Sequence, residues 1–434
     1  MTVLRRTVIA GVVAALAAPG LAAQQAPLQV TLAEAVRRAL DVQPAVVQAR
    51  GTQRSAGAGQ RSALGAFLPT ITAGGSSNDA STNRYNPSTG QIVRGVPTST
   101  TYSGSFAVSL DLFDGFRRFA SRSAAGATLD AADAGFVSQR YQVTAATAQF
   151  FFTSLANEEL VRVALAQVER GKEELQISVN KFQAGAATRS DTLTATVDLG
   201  NAQLALLQAR ANLATAQANL GRQIGVDQPV RAAPDTAFPP LPDTTALRAE
   251  AIDSAPLVRQ ARAQARAAAA QVSVARAEYW PTLSASYSNG YTGFDAPWST
   301  TQNYLNNWTL RFSLNWTLFN GFTREADQVT ASVQRDVALA NAADLRRQTN
   351  AQLTQQLAAL FTAHAQIGIA GANVAAATEA VRVQQERYRL GAGTLLDLLT
   401  AQANLTQAEV SRVQARYNYL IAQAQLEALV GHSL

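Results

Sequence analysis

The sequence predicts a mainly α protein with transmembrane β-strands, built from one unit of long helices written twice. Three observations predict it: an internal repeat at a fixed offset, proline-free runs of about 65 residues, and a strand-like segment with one wholly apolar face.

The repeat comes first because it sets the boundaries. Leu112-Phe113-Asp114-Gly115-Phe116 returns as Leu318-Phe319-Asn320-Gly321-Phe322, 206 positions on. At the same offset Lys181-Phe182-Gln183-Ala184-Gly185 becomes Arg387-Tyr388-Arg389-Leu390-Gly391, Asp191 becomes Asp397, and Ile224-Gly225 becomes Val430-Gly431. Upstream, Phe67-Leu68-Pro69-Thr70 answers Tyr279-Trp280-Pro281-Thr282 at an offset of 212, so the intervening loop differs by six residues, as loops can and packed elements cannot. This gives a first repeat over 24–225, a linker over 226–245 and a second repeat over 246–434. Residues 1–23 read as a bacterial signal peptide: Arg5 and Arg6, an apolar run from Val8 to Ala18, then small residues up to Ala23. No later run of 18 or more apolar residues is expected to cross a membrane as a helix.

Within each repeat the parts follow one order. A helical run (44–65, then 248–279) ends at a proline, followed by strands at 66–77 and 280–291. Polar loops are read over 78–101 and 289–307, then strands at 102–113 and 304–319. In the last of these, Trp308, Leu310, Phe312, Leu314, Trp316 and Leu318 alternate with Thr309, Arg311, Ser313, Asn315 and Thr317. Phe106, Val108, Leu110 and Leu112 form the corresponding face of the first copy. Such strands fit either a half-buried sheet of a soluble protein or a membrane sheet with lipid-facing apolar side chains and Trp308 and Trp316 in its aromatic belts. In lipid, four strands cannot close a barrel, and each open backbone group costs several kcal/mol. Several chains must then share one barrel, and three copies would supply 12 strands.

Long helices follow at 115–182 and 321–388, then at 190–223 and 395–430. A helix of that first length would reach roughly 100 Å. The last helices carry a seven-residue period: Leu398, Leu405, Arg412, Tyr419 and Leu426 beside Ala401, Ala408, Ala415, Ala422 and Leu429. The first repeat has Thr192, Leu199, Leu206, Leu213 and Leu220 beside Ala195, Ala202, Ala209, Ala216 and Gln223. An alanine stripe lets helices approach closely, in a soluble antiparallel coiled coil or in a helical tube whose Gln, Asn, Thr and Arg faces line water.

The segment Tyr388-Arg389-Leu390-Gly391-Ala392-Gly393-Thr394-Leu395-Leu396-Asp397-Leu398-Leu399-Thr400, with Ala415-Arg416-Tyr417-Asn418-Tyr419 beyond it, closely resembles the helix–turn–helix tip of the TolC family of outer-membrane efflux proteins. The resemblance covers essentially the whole chain after the leader. It implies a homotrimer with a shared 12-stranded β-barrel in outer-membrane lipid and a 12-helix α-barrel crossing the periplasm. It also implies a periplasmic adaptor at the helix tips and an inner-membrane pump, of the RND or ABC type, behind that adaptor. By the same resemblance Asp397 narrows the closed aperture and Tyr388 ties the tips together, with Asp191 the first-repeat counterpart. Thr400 stands where the type member has a second acid, and Gly393 where it has a basic residue. Gly185, Gly391, Gly393, Leu395 and Leu396 form the tip turns expected to meet the adaptor. Read from the residues alone, Asp397 is either a negative constriction or a helix-N-terminal carboxylate favoured by the dipole. The glycines most simply permit tight turns.

Other chemistry is thin. There is no cysteine, so no disulfide, thiolate metal site or cysteine-linked lipid anchor. His364 and His432 lack acidic partners at ligand spacing, and no phosphate-binding glycine loop follows a strand. Neither an enzyme nor a cofactor is expected. The net charge of +6, or +4 once Arg5 and Arg6 leave with the leader, is spread over 36 basic and 30 acidic residues, which argues against nucleic acid as a partner. A soluble periplasmic adaptor would share the long hairpins but lack the lipid face of Trp308–Leu318. An open diffusion porin would not need the stems or the tip turns.

Overall fold

The structure is a computed structural model, and it describes residues 28–80, 84–93, 99–234, 240–241, 252–300 and 303–434. The leader segment lies outside these. The chain begins with β1 (Leu28–Val30), α1 (Leu32–Val42) and α2 (Pro44–Gly65), then β2 (Thr70–Ala80), a small hairpin of β3 (Arg84–Asn86) and β4 (Gln91–Val93), and β5 (Ser99–Phe113). Two long helices follow, α3 (Arg117–Gln183) and α4 (Arg189–Gln223), then β6 (Val230–Ala232). The second repeat holds α5 (Pro256–Arg276), a 3-10 turn at Ala277–Tyr279, β7 (Thr282–Gly293), β8 (Tyr304–Asn315), α6 (Thr323–Arg389) and α7 (Leu395–Val430).

Four strands form one antiparallel sheet in the order β2-β5-β7-β8. Its two hairpins have the same register: Thr72 faces Ala107 in the first, and their repeat counterparts Ser284 and Ser313 face each other in the second. Below the sheet the helices keep its lateral order. α2, α3, α5 and α6 lie side by side near the strands, and α4, α3, α7 and α6 do so further down. Every layer therefore has one free edge from the first repeat (β2, α2, α4) and one from the second (β8, α6).

The strand-to-helix junctions explain the repeated Leu-Phe-Asp/Asn-Gly-Phe motif. Gly115 and Phe116, like Gly321 and Phe322, take consecutive left-handed conformations with φ of 65–69°. Glycine adopts this freely; for phenylalanine it costs on the order of 1–3 kcal/mol and persists only where neighbours enforce it. Asp114 accepts the Arg118 amide at 2.9 Å and pairs with its guanidinium at 3.2 Å, capping α3. Arg118 lies over the Phe67 ring and Arg324 over Tyr279, tying each long helix to the shorter helix before its hairpin.

The main core lies midway along the helices. There Phe151, Phe152 and Leu155 of α3 and Leu353, Leu357 and Leu360 of α6 meet Tyr419, Leu420 and Leu426 of α7. Helix α1 and the strand pair β1–β6 close over it, with Leu28 beside Val230 in parallel register.

Several expectations change. The region read as a linker contains β6, because Val230 and Ala232 alternate with Arg231 and bury beside β1. The polar loops are shorter than expected: β2 runs on to Ala80, β5 starts at Ser99 and β7 runs to Gly293. These Ser-, Thr- and Gly-rich stretches pair through the backbone although their side chains carry no alternation. Strand β2 starts at Thr70 rather than 66, since 66–68 complete the turn leaving α2. Strand β8 ends at Asn315, four residues short, on an edge with no partner strand among the described residues. Leu112 sits at an irregularity where the β5–β7 register shifts between Asp111 and Phe113. In α7 the heptad stripe skips Arg412, which is exposed, and Val413 is buried beside it. By length and composition α6 contains a stretch apolar enough to cross a membrane, where none was expected. Leucines, isoleucines and alanines around Leu357–Val374 raise its hydropathy, and Leu357 and Leu360 among them belong to the core.

Phe151 is fully buried at the centre of that core. Phe151→Ala is expected to cost about 3–5 kcal/mol, read as a lowered thermal midpoint in detergent; an unchanged midpoint would show that the core does not hold the helices.

Candidate functional site

The site is built where the long helices turn back. Each long helix ends at Ala184 or Leu390, and the next residue, Gly185 (φ 75°) or Gly391 (φ 78°), is left-handed. The Gly185 amide donates to the Phe182 carbonyl at 3.0 Å and that of Ala186 to Lys181 at 2.8 Å; Gly391 and Ala392 do the same to Tyr388 and Arg387 at 3.2 and 2.8 Å. A Cβ at Gly393 would stand 3.1 Å from the Arg387 Cβ, so this position favours glycine on steric grounds.

The returning helices start with reciprocal caps. Asp191 Oδ2 accepts the Thr188 amide at 3.0 Å, while Thr188 Oγ1 accepts the Asp191 amide at 3.2 Å. Asp397 Oδ2 accepts the Thr394 amide at 3.2 Å and its hydroxyl at 2.8 Å, and Thr394 Oγ1 accepts the Asp397 amide at 3.2 Å. The hydroxyl and amide of Thr394, with a smaller contribution from the Arg387 charge, hold the Asp397 carboxyl below the usual carboxylate range. Asp397 is thus an exposed, ionised cap, fixed at the extreme end of the hairpin. Thr400 is exposed and spends its hydroxyl on the Leu396 carbonyl at 2.8 Å.

Tyr388 joins the second hairpin to the first. It is buried, with its hydroxyl 3.2 Å from Ser178 Oγ. The Lys181 ammonium sits 3.9 Å from its ring centre and donates to its carbonyl. Leu395 was expected on the docking surface; instead it packs against Tyr388 and Leu398, because the cap turns this first helical residue inward. Leu396 and Leu390 remain on the surface, each more than 70 % exposed.

Sequence reasoning missed the polar stripe that α3 turns toward the second repeat. Arg170 donates to Thr406 Oγ1 at 3.1 Å and pairs with Glu409 at 3.2 Å. Glu174 is 2 % exposed, and neither carboxylate oxygen has a regular hydrogen bond. Burial, with the nearby Asp198 charge, pushes its carboxyl up to about 7 against a smaller pull from Gln402. Ser178 and Lys181 continue the stripe to Tyr388. The spacing 170, 174, 178, 181 marks one helix face, but only the packing shows that a protein surface covers it.

The expected lipid-facing side chains share one side of the sheet. Trp308, Leu310, Phe312 and Leu314 stand exposed on β8, opposite Asn289, Tyr287, Ala285 and Leu283 of β7. Phe106 is exposed and Val108 and Leu110 are half-buried on the same side of β5. Trp316 and Leu318 are exposed beyond the strand end, and the Trp316 indole donates to the Tyr279 carbonyl at 3.3 Å. The opposite side carries Ser284, Ser286 and Ser288 on β7 and Thr309, Arg311 and Ser313 on β8. His364 lies on a helix surface beside the Tyr419 ring, and among the described residues no cluster of His, Cys, Asp or Glu fits a metal ion.

The profile of the outer membrane efflux protein family matches residues 5–226 and 247–432. The chain belongs to this family. Its place is therefore the outer membrane, and it is a channel-type protein rather than an enzyme. Among curated relatives it is 28 % identical over 322 residues to protein CyaE of Bordetella pertussis, covering 73 % of this chain and 66 % of CyaE. It is 25 % identical over 339 residues to the alkaline protease secretion protein AprF of Pseudomonas aeruginosa, covering 76 % and 70 %. The matched regions thus span about two thirds of those relatives. Among solved structures, the outer membrane protein VceC of Vibrio cholerae superposes with a TM-score of 0.77 at 18 % identity, over 93 % of this chain and 96 % of that one. That likeness establishes the fold.

Because Glu174 titrates near 7 in the folded protein and near 4.5 when unfolded, the folded state holds a proton between those values that the unfolded state has released. Stability from this residue therefore falls as pH rises through that window. Glu174→Gln is expected to raise the thermal midpoint at about pH 8 and to change it little at about pH 5, so the gap widens with pH. A gap independent of pH would contradict the burial of this carboxyl.

Proposed function

We propose that this chain is the outer-membrane duct of a three-part export system, in which three copies close a 12-stranded barrel over a 12-helix tunnel. The observation that carries it is a four-stranded sheet with an exposed apolar face, two open edges and helices stacked beneath in the same lateral order. An open edge in hydrocarbon leaves amides and carbonyls unpaired at several kcal/mol each, so the sheet has to close through other copies. Three copies make 12 strands, within the usual range for membrane barrels.

The helices then continue below the membrane as a stem. Its far end is ringed by the tip turns, where three Asp397 carboxylates face a common axis and narrow the passage, with Asp191 in the equivalent position on the first hairpin. Leu396 and the glycine turns at 185 and 391 provide the surface for a periplasmic adaptor, which links the duct to an inner-membrane pump. The chain holds no nucleotide-binding motif, so the energy for export comes from that pump. Cargo is a small molecule or a protein. The names of the relatives support export, since AprF is a protease secretion protein. A soluble adaptor would not expose Trp308, Leu310, Phe312 and Leu314 on one sheet face.

In planar bilayers the protein is expected to form cation-preferring channels. Asp397→Asn, which keeps the side-chain size and removes the charge, should reduce that preference measurably. Unchanged reversal potentials in a salt gradient would take Asp397 out of the constriction. An absence of channels from protein shown to be inserted would remove the duct itself.

A further inference from the structure

The sheet has a second side, and its chemistry is as one-sided as that of the first. With the apolar side against lipid, the side bearing Ser284, Ser286 and Ser288 lines the interior of the barrel. Serine, threonine, asparagine and glycine supply nearly all of it, and no aromatic ring stands on it among the described strand residues. Among those same residues it carries two charges, Asp111 on β5 and Arg311 on β8.

These two charges do not neutralise each other. Asp111 faces Ser284 across the β5–β7 pair, and Arg311 faces Ser286 across the β7–β8 pair, so two strand spacings and two residues lie between them. That is about 12 Å between backbones, and neither forms an ion pair with a described residue. Every neighbour of Arg311 on its own side is instead a hydroxyl: Thr309 and Ser313 along β8, and Ser286 with Ser284 and Ser288 on β7. The arginine is exposed on this side. Duplication does not account for it, because at the 206-residue offset its counterpart is Ser105.

This is the chemistry of an oxyanion site. A guanidinium presents a planar fork of donors that fits a carboxylate or phosphate with two parallel hydrogen bonds, and the surrounding hydroxyls supply further donors. Twelve strands about 4.8 Å apart and tilted by about 40° enclose a radius of about 12 Å. Less the inward reach of the side chain, each of three Arg311 charges lies within about one Debye length of the axis, ~8 Å at physiological salt. The whole cross-section then feels the ring. We infer that Arg311 is a specificity-determining residue of the duct, whose ring holds and passes cargo bearing an oxyanion, a carboxylate or a phosphate. This inference rests on the trimeric duct proposed above and adds the chemical class of its cargo. It also sets two rings of opposite sign in series, Asp397 at the tips and Arg311 in the barrel, so the barrel lowers the cation preference that the tips impose.

Planar bilayers test this with citrate as the carboxylate probe and inorganic phosphate beside it, and the probe that blocks at the lower concentration identifies the group. Either is expected to reduce the current through the wild-type channel. Arg311→Gln is expected to need at least about tenfold more of that probe for half-block, the scale of one lost charge-assisted hydrogen bond. In a salt gradient the same variant moves the reversal potential toward stronger cation preference, opposite to Asp397→Asn. Arg311→Lys, which keeps the charge, leaves that potential near the wild-type value. Equal block of wild-type and Arg311→Gln channels by both probes, or an unmoved reversal potential in Arg311→Gln, overturns the inference. An absence of channels from inserted wild-type protein overturns the duct instead.

Discussion

Backbone hydrogen bonding in hydrocarbon is the constraint on which the rest of this structure depends. A strand inside a sheet satisfies its amides and carbonyls on both sides, whereas β2 and β8 each leave one row open. In water that row would be solvated. Beside an apolar face bearing Trp308, Leu310, Phe312 and Leu314 it cannot be, because the same surface that favours lipid excludes the water that would pair it. The shared barrel of the proposed trimer follows from this conflict, and so does the stem. Once β5 and β8 feed directly into α3 and α6, the lateral order of the strands is imposed on the helices below, and closure of one layer closes the others.

Duplication makes this economical in sequence and uneven in chemistry. The junction motif, the tip turns and the capping boxes recur with nearly the same geometry in both halves. The contacts of α3 with the second repeat do not recur. Arg170, Glu174 and Ser178 have the counterparts Ala376, Ala380 and Gln384, so the polar stripe belongs to the first repeat alone. Polar groups buried between helices are costly unless paired, and Glu174 is unpaired by regular geometry. A seam of this kind costs more desolvation than an apolar seam of the same area. It lies next to Tyr388, the residue that binds one tip to the other.

Much of this architecture was legible because its signals are long or repeated. Helices of 67 residues without proline leave little choice, and the offsets of 206 and 212 carry through to the strand register without a slip. What was not legible had weak side-chain signals. The outer parts of β2, β5 and β7 are serine, threonine and glycine, whose strand character comes from backbone pairing alone. β6 is three residues long and exists only because β1 lies beside it. At the tips, the sequence identified Asp397 and Tyr388 but not which neighbours they meet. The inward turn of Leu395 and the partners Ser178 and Lys181 depend on how two hairpins distant in sequence are packed together.

The central claim is that three copies of this chain form one continuous tube. Electron-microscope class averages of the detergent-extracted protein test it most directly. The account predicts a three-fold ring in end views and a stem on the order of 100 Å in side views, the length of α3 and α6. Single chains, or a compact particle with no stem, would contradict it.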